Sequence, residues 1–154
     1  MVRSLIALAV LLGGLLAGAT IERFFVQLPA WRIAGVVDWA RFSRNADLGR
    51  GKFVYPTLAF GQVLTTGAAA ILLTRGQNAA SMELLASAWF STACATIGLA
   101  LTALAGPNML RAAKSNDSPG TLQPLFDGFM RWSKWRGTFQ VLSFVVSIFA
   151  LTLF

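Results

Sequence analysis

The sequence predicts an all-α integral membrane protein: a single domain over residues 1–154, built as a four-helix antiparallel bundle with amphipathic cytoplasmic connections. Three observations predict it. Hydrophobic residues make up 56% of the chain and charged residues 12%, against the ~25% charge of a soluble domain, which leaves too little polar surface to cover a globule. Four apolar stretches, at 4–28, 53–74, 82–105 and 137–154, fill most of the length, and each is near the ~17 to 25 residues that a spanning helix needs. The Lys and Arg residues are also gathered into two of the three connections. This composition excludes a disordered, collagen-like or coiled-coil chain, and it argues against a nucleic-acid-binding domain despite the net charge of +7.

The first stretch, continued through Phe24, Phe25 and Val26 to Leu28, would form a helix roughly 37 Å long, longer than the ~30 Å hydrocarbon core. Its beginning, Met1-Val2-Arg3 before an apolar run ending in Ala17-Gly18-Ala19, also has the form of a secretory signal peptide. Cleavage there would leave three spans and put the Arg-rich first connection outside, against the charge bias, so an uncleaved helix is expected. Gly49-Arg50-Gly51-Lys52 marks the start of the second span, and Arg75-Gly76-Gln77-Asn78 marks its end. Gly106-Pro107 is expected to stop the third.

Orientation follows from the basic residues. Arg23, Arg32, Arg41, Arg44, Arg50 and Lys52 lie between spans one and two, and Arg111, Lys114, Arg131, Lys134 and Arg136 between three and four. Only Arg3 and Arg75 fall on the other side. The positive-inside rule then makes both long connections cytoplasmic and both termini extracytoplasmic, as in a multi-pass protein of a bacterial inner membrane. Anionic lipid headgroups are the expected counterpart of this charge.

In the first connection Ile33, Val36, Val37 and Ala40 share one side of a helical wheel, predicting a short helix at headgroup level with Trp31 and Trp39 as interfacial anchors. In the second, Ser115-Asn116-Asp117-Ser118-Pro119-Gly120 forms a turn, and Thr121 is expected to cap a helix carrying Leu122, Leu125, Phe126, Phe129 and Trp132 into the last span. Small residues supply close helix contacts: Gly14 and Gly18 on the first span, Gly61 and Gly67 on the second, and Ser87, Ser91, Ala95 and Gly98 on the third. The same faces would equally serve a homodimer or a partner subunit.

The chemistry is bounded by two counts. There is no His, which excludes His-ligated metals and His-based triads within the chain, and the single Cys94 inside an apolar run reads as a small packing residue. No metal and no cofactor is expected. Polar groups in hydrocarbon cost about 2.5 to 3.5 kcal/mol for a central Arg or Asp, so they mark candidate sites. Glu22 is the first, near the cytoplasmic boundary, with Arg136 as its counter-charge. Tyr55 and Pro56 open the second span, Asn108 follows the third, and Trp132, Arg136 and Gln140 form a stripe at four-residue steps. Together they would line a pocket at that level. Gln62 and Gln140 lie deeper, where a buried amide needs an interhelical partner or a ligand.

Four spans, Gly-Ala-Thr-Ile-Glu-Arg at 18–23 with Pro29 soon after, Tyr55-Pro56, Pro107-Asn108, and the run Phe129-Met130-Arg131-Trp132-Ser133-Lys134-Trp135-Arg136 together resemble the anthrone oxygenase-like family of small membrane proteins. Many members carry an Asn-His pair between the tryptophan segment and the Arg, which this chain lacks. The resemblance implies oxygenation of an anthrone-type aromatic to a quinone without metal or flavin. It makes Glu22 the base, Arg136 and Asn108 the stabilisers of an enolate oxygen, and Trp132, Trp135 and Tyr55 the surfaces that stack on the planar substrate. The rival expectation is a non-enzymatic accessory or assembly subunit of a larger membrane complex.

Overall fold

The computed structural model describes residues 1–76 and 81–154, so Gln77 and Asn78 of the predicted stop lie outside it. Helix α1 (Val2–Glu22) passes through a π-helical turn, Arg23–Gln27, into α2 (Leu28–Ala34). After Gly35 comes α3 (Val36–Asn45), then a second π-helical turn, Ala46–Gly51, then α4 (Lys52–Arg75), α5 (Met82–Lys114) and α6 (Pro119–Thr152). Four stretches are long and apolar enough to cross a membrane: Val2–Ala34, Val36–Arg75, Met82–Lys114 and Pro119–Thr152.

Helices α1, α4, α5 and α6 form a ring of neighbours, with α5 on α6 and on α4, and α1 on α4 and on α6. Interhelical contacts fix the register. Ser91 meets Ser143 and Ser147, Gly98 lies against Gln140, and Gly128 against Asn108. On the other side Gly13 sits under Gln62 and Phe144, Gly61 beside Leu12, and Gly137 against Thr20 and Phe24. A Cβ added at Gly13 would come within 2.5 Å of Gln62 Nε2, and one at Gly137 within 2.6 Å of both Thr20 Cγ2 and Phe24 Cε2. Gly13 and Gly14, the latter with a Cβ position 3.1 Å from the Phe144 ring, are the close-approach positions on α1, whereas Gly18 has nothing within 4 Å among the described residues.

The ring buries polar side chains beside apolar ones such as Ile6, Ala69 and Leu84, and exposes large apolar ones. Gln62, Thr65, Thr66, Ser91, Ser143 and Ser147 are buried, while Leu11, Leu15, Phe60, Leu64, Phe90, Val145 and Phe149 are exposed. The buried hydroxyls serve one another or the backbone: Gln62 Nε2 donates to Ser143 Oγ at 3.0 Å, and the Ser91 and Ser147 hydroxyls are 2.7 Å apart. Such bonds join helices where an apolar surround offers no hydrophobic drive between them.

The connections depart from the sequence expectation. Helix α5 does not stop at Gly106-Pro107 but continues to Lys114, because Ala105, Met109 and Ala112 are held in a core with Leu122, Phe126, Phe129 and Met130. Packing outweighs the hydrogen bond that Pro107 cannot make. Trp31 and Trp39 are not interfacial anchors, since both are buried in that same core. Trp39 is 0% exposed, with its ring centre 5.1 Å from that of Phe126. The short helix predicted to carry Ile33, Val36, Val37 and Ala40 is broken at Gly35, whose φ of 101° suits glycine, leaving Ile33 89% exposed while Val36 and Ala40 are buried. Ser118, not Thr121, caps α6: its Oγ accepts from the Thr121 N–H, and Pro119 takes the first turn.

Arg44 ties these pieces together at the C-terminal end of α5. Its Nη2 donates to the carbonyls of Ala112 and Ser115, each at 3.1 Å, and pairs with Asp117 at 2.7 Å. The Ala112 carbonyl also accepts the Ser115 N–H at 3.4 Å, so Arg44 adds a second donor there and reaches the carbonyl of the C-cap residue as well.

Candidate functional site

The two π-helical turns each bring one charged side chain inward. Pro29 has no N–H to give the Phe25 carbonyl, and its ring would strike that carbonyl in a regular α-turn. The widened turn at Arg23–Gln27 accommodates this and directs Arg23 into the bundle, where it is buried. In the second turn, Gly49 leaves helical geometry at ψ −110°, and Asp47 is buried just before that kink. Arg23 Nη2 and Asp47 Oδ1 form an ion pair. Ser43 Oγ donates to the other carboxylate oxygen at 3.3 Å, so both oxygens of Asp47 are engaged. The Arg23 guanidinium also lies 5.6 Å from the centre of the Tyr55 ring and 6.0 Å from that of Phe129.

Beside this pair is a cavity of about 530 Å³ between α1, α4, α5 and α6. Its walls are mostly apolar: Leu16, Ala19 and Phe24 from the first helix, Pro56, Ala59 and Phe60 from α4, Leu99, Ala103 and Met109 from α5, and Phe129 from α6. Polar groups gather at the end near the ion pair, where Arg136 and Gln140 project one turn apart from α6, with Thr20 and Tyr55 nearby. Gln140 Oε1 accepts from Thr20 Oγ1 at 3.0 Å. The buried Nε of Arg136 has no hydrogen-bond partner, and among the described residues no carboxylate lies within 4.0 Å of its guanidinium. Arg23 and Asp47 neutralise each other, and the half-buried Arg136 beside them has no ion-pair partner among the described residues. Lys52 is at the exposed rim, 5.1 Å from the Phe53 ring centre.

The predicted site residues divide between two places. Arg136, Tyr55 and Gln140 line the cavity. Glu22 does not: it is exposed, accepts a 2.6 Å hydrogen bond from Gln27 Nε2, and makes no ion pair with Arg136. Asn108 is also outside the lining, packed against Gly128 and bonded to the Leu104 carbonyl at 3.3 Å. Trp132 is half-buried beneath Arg131, and Trp135 is 58% exposed on a different face of α6. The expected pairing of Glu22 with Arg136 is thus replaced by that of Asp47 with Arg23. The carboxylate and its partner are 24 positions apart, so no helical periodicity links them in the sequence.

Fold and site together define a helical protein of membrane-spanning dimensions with a mostly apolar cavity that gathers hydrogen-bonding groups at one end. No family model, curated protein or solved structure matches the chain.

Proposed function

We propose that this chain is an antiparallel four-helix protein of a bacterial inner membrane, with both termini extracytoplasmic, that binds a hydrophobic aromatic or quinone-like molecule in the cavity beside Arg136. The membrane reading is supported by the exposed Leu and Phe faces and the buried hydroxyls of the ring. The register supports the antiparallel order, since residue numbers rise along one helix as they fall along its neighbour. Anionic headgroups then complement the basic connections.

The observation that carries the ligand is the unpartnered Arg136 in an apolar cavity. Arg136 is half-buried, and a partly desolvated cation without a partner carries a cost that a ligand oxygen bearing negative charge offsets. Gln140 Nε2 makes no hydrogen bond within the described residues and supplies a further donor. A fused-ring ketone fits such a donor-rich end, its rings lying along Pro56, Phe60 and Leu99.

The resemblance to anthrone oxygenase-like proteins extends this reading to a reaction. A base removes a proton from the ring methylene, the carbanion adds O2, and the protonated peroxide loses water. One O2 is consumed and one water released, leaving the second carbonyl of a quinone. Arg136 holds the enolate oxygen. Asp47, the carboxylate in the cavity wall, takes the place of Glu22 as the proton acceptor.

The accessory-subunit alternative needs small-residue faces free for a partner. Of the small residues that the sequence offers for such faces, Ser91, Ala95 and Gly98 are buried inside the ring while Gly18 is exposed, so the α5 face is taken up within the bundle, which favours the ligand reading.

The test is titration of the detergent-purified protein with 1,8-dihydroxyanthraquinone, followed by visible absorption, then O2 uptake with the matching anthrone against spontaneous oxidation. Saturable binding that Arg136→Gln weakens tenfold or more supports the site. Binding indifferent to that change overturns it.

A further inference from the structure

A second groove lies on the outer face of α2 and α6, away from the cavity. Its volume is about 400 Å³, and Phe126 and Met130 contribute buried side chains to its wall. Arg32 reaches it from α2, and Arg131 and Lys134 from α6. All three are exposed, and among the described residues none has a carboxylate within 4.0 Å. Asp127, the one acid in the wall, accepts from Gln123 Nε2 at 3.1 Å. Three cations and one carboxylate leave the groove with a net charge of +2.

Its surroundings are amphipathic. Trp135 lines the groove with its ring largely exposed, and Ile33, next to Arg32, is the most exposed large aliphatic side chain on α2. The groove residues of α6 precede the apolar 137–154 stretch by one to four turns, so in a membrane they stand at headgroup depth, with Trp135 at the boundary.

We infer that this groove is a binding site for the phosphate groups of an anionic phospholipid, with a two-phosphate lipid of the cardiolipin type preferred. Arg guanidinium forks match phosphate oxygens, and basic pockets between helices at the cytoplasmic boundary take such headgroups. Two phosphate monoanions balance the groove's charge, while Ile33 and Trp135 offer apolar surface to the acyl chains. The inference rests on the membrane reading and is independent of the cavity ligand.

The experiment reconstitutes the full chain into lipid nanodiscs of phosphatidylcholine containing equal small fractions of phosphatidylglycerol and cardiolipin, and counts retained lipids by native mass spectrometry. The expected result is one retained cardiolipin per chain. The triple variant R32Q/R131Q/K134Q should reduce that retention about tenfold, whereas R50Q/R111Q/K114Q, which removes the same charge elsewhere, should leave it within twofold. R32Q alone, at a residue outside the α6 packing, should give a partial loss. Equal loss in both triple variants, or no preference over phosphatidylglycerol, overturns the inference while the membrane reading stands. Displacement by millimolar inorganic phosphate to the same extent as by added cardiolipin shows a free-phosphate site and overturns the lipid assignment. Failure of the wild-type chain to enter the nanodisc at all removes the membrane reading itself.

Discussion

Arg23 and Asp47 form a buried ion pair that joins the π-helical turn after α1 to the π-helical turn before α4. The pair lines one end of the cavity, beside an Arg136 that has no ion-pair partner among the described residues.

Removing one partner strands a buried charge. Asp47→Asn or Arg23→Met should each destabilise the protein by about 3 to 5 kcal/mol. The double replacement R23M/D47L should cost less than either alone, because both charges leave together. Denaturant unfolding in detergent micelles measures all three.

Arg136 should behave in the opposite way. Arg136→Met removes a half-buried cation that has no ion-pair partner among the described residues, so thermal stability should rise while binding of 1,8-dihydroxyanthraquinone falls at least tenfold. Exposed Glu22, replaced by Gln, should change neither. A drop in melting temperature for Arg136→Met would assign that residue to structure rather than to the ligand.

Close packing makes a graded prediction along the glycines. Gly137→Ala places a Cβ 2.6 Å from Thr20 and Phe24 and should destabilise the α1 and α6 contact by about 1 to 3 kcal/mol. Gly18→Ala meets nothing within 4 Å and should be neutral, or stabilising by up to ~1 kcal/mol through helix propensity. Thermal melts of the two variants side by side separate the cases.

The connection between α5 and α6 should be acid-sensitive. Hydrogen bonding from Arg44, assisted by Arg41, holds the Asp117 carboxyl below its ordinary value of 3.8. A carboxylate with a lowered folded-state pKa contributes stability that is complete above the ordinary value and is lost as pH falls through the folded value. Asp117→Asn should abolish that loss below about pH 4 and should loosen Arg44 from the end of α5. Amide exchange at Ser115 and Ala112 across that pH range reports it.

What the sequence determined by itself is the helical class, the four apolar stretches and the level at which polar groups gather, because composition and run length depend on the solvent around the chain and not on the packing. Arg136, Tyr55 and Gln140 were legible for the same reason: Arg136 and Tyr55 stand at the start of apolar runs, and helical spacing carries Gln140, one turn deeper, to the face of Arg136. Interhelical bonds for Gln62 and Gln140 follow from the cost of an unpaired buried amide.

Only the tertiary structure decided which carboxylate meets which cation. Glu22 and Arg23 are neighbours in sequence, yet a single widened turn leaves Glu22 outside and Arg23 inside. Pro107 ends a helix by local rules, but the core around Trp39 and Phe129 carries α5 past it. Trp31 and Trp39 have the composition of interfacial anchors and become core residues because Gly35 turns α3 back onto α5 and α6. Local propensities are worth about 1 to 3 kcal/mol, and a contact between distant segments can exceed them, so only the assembled fold specifies these details.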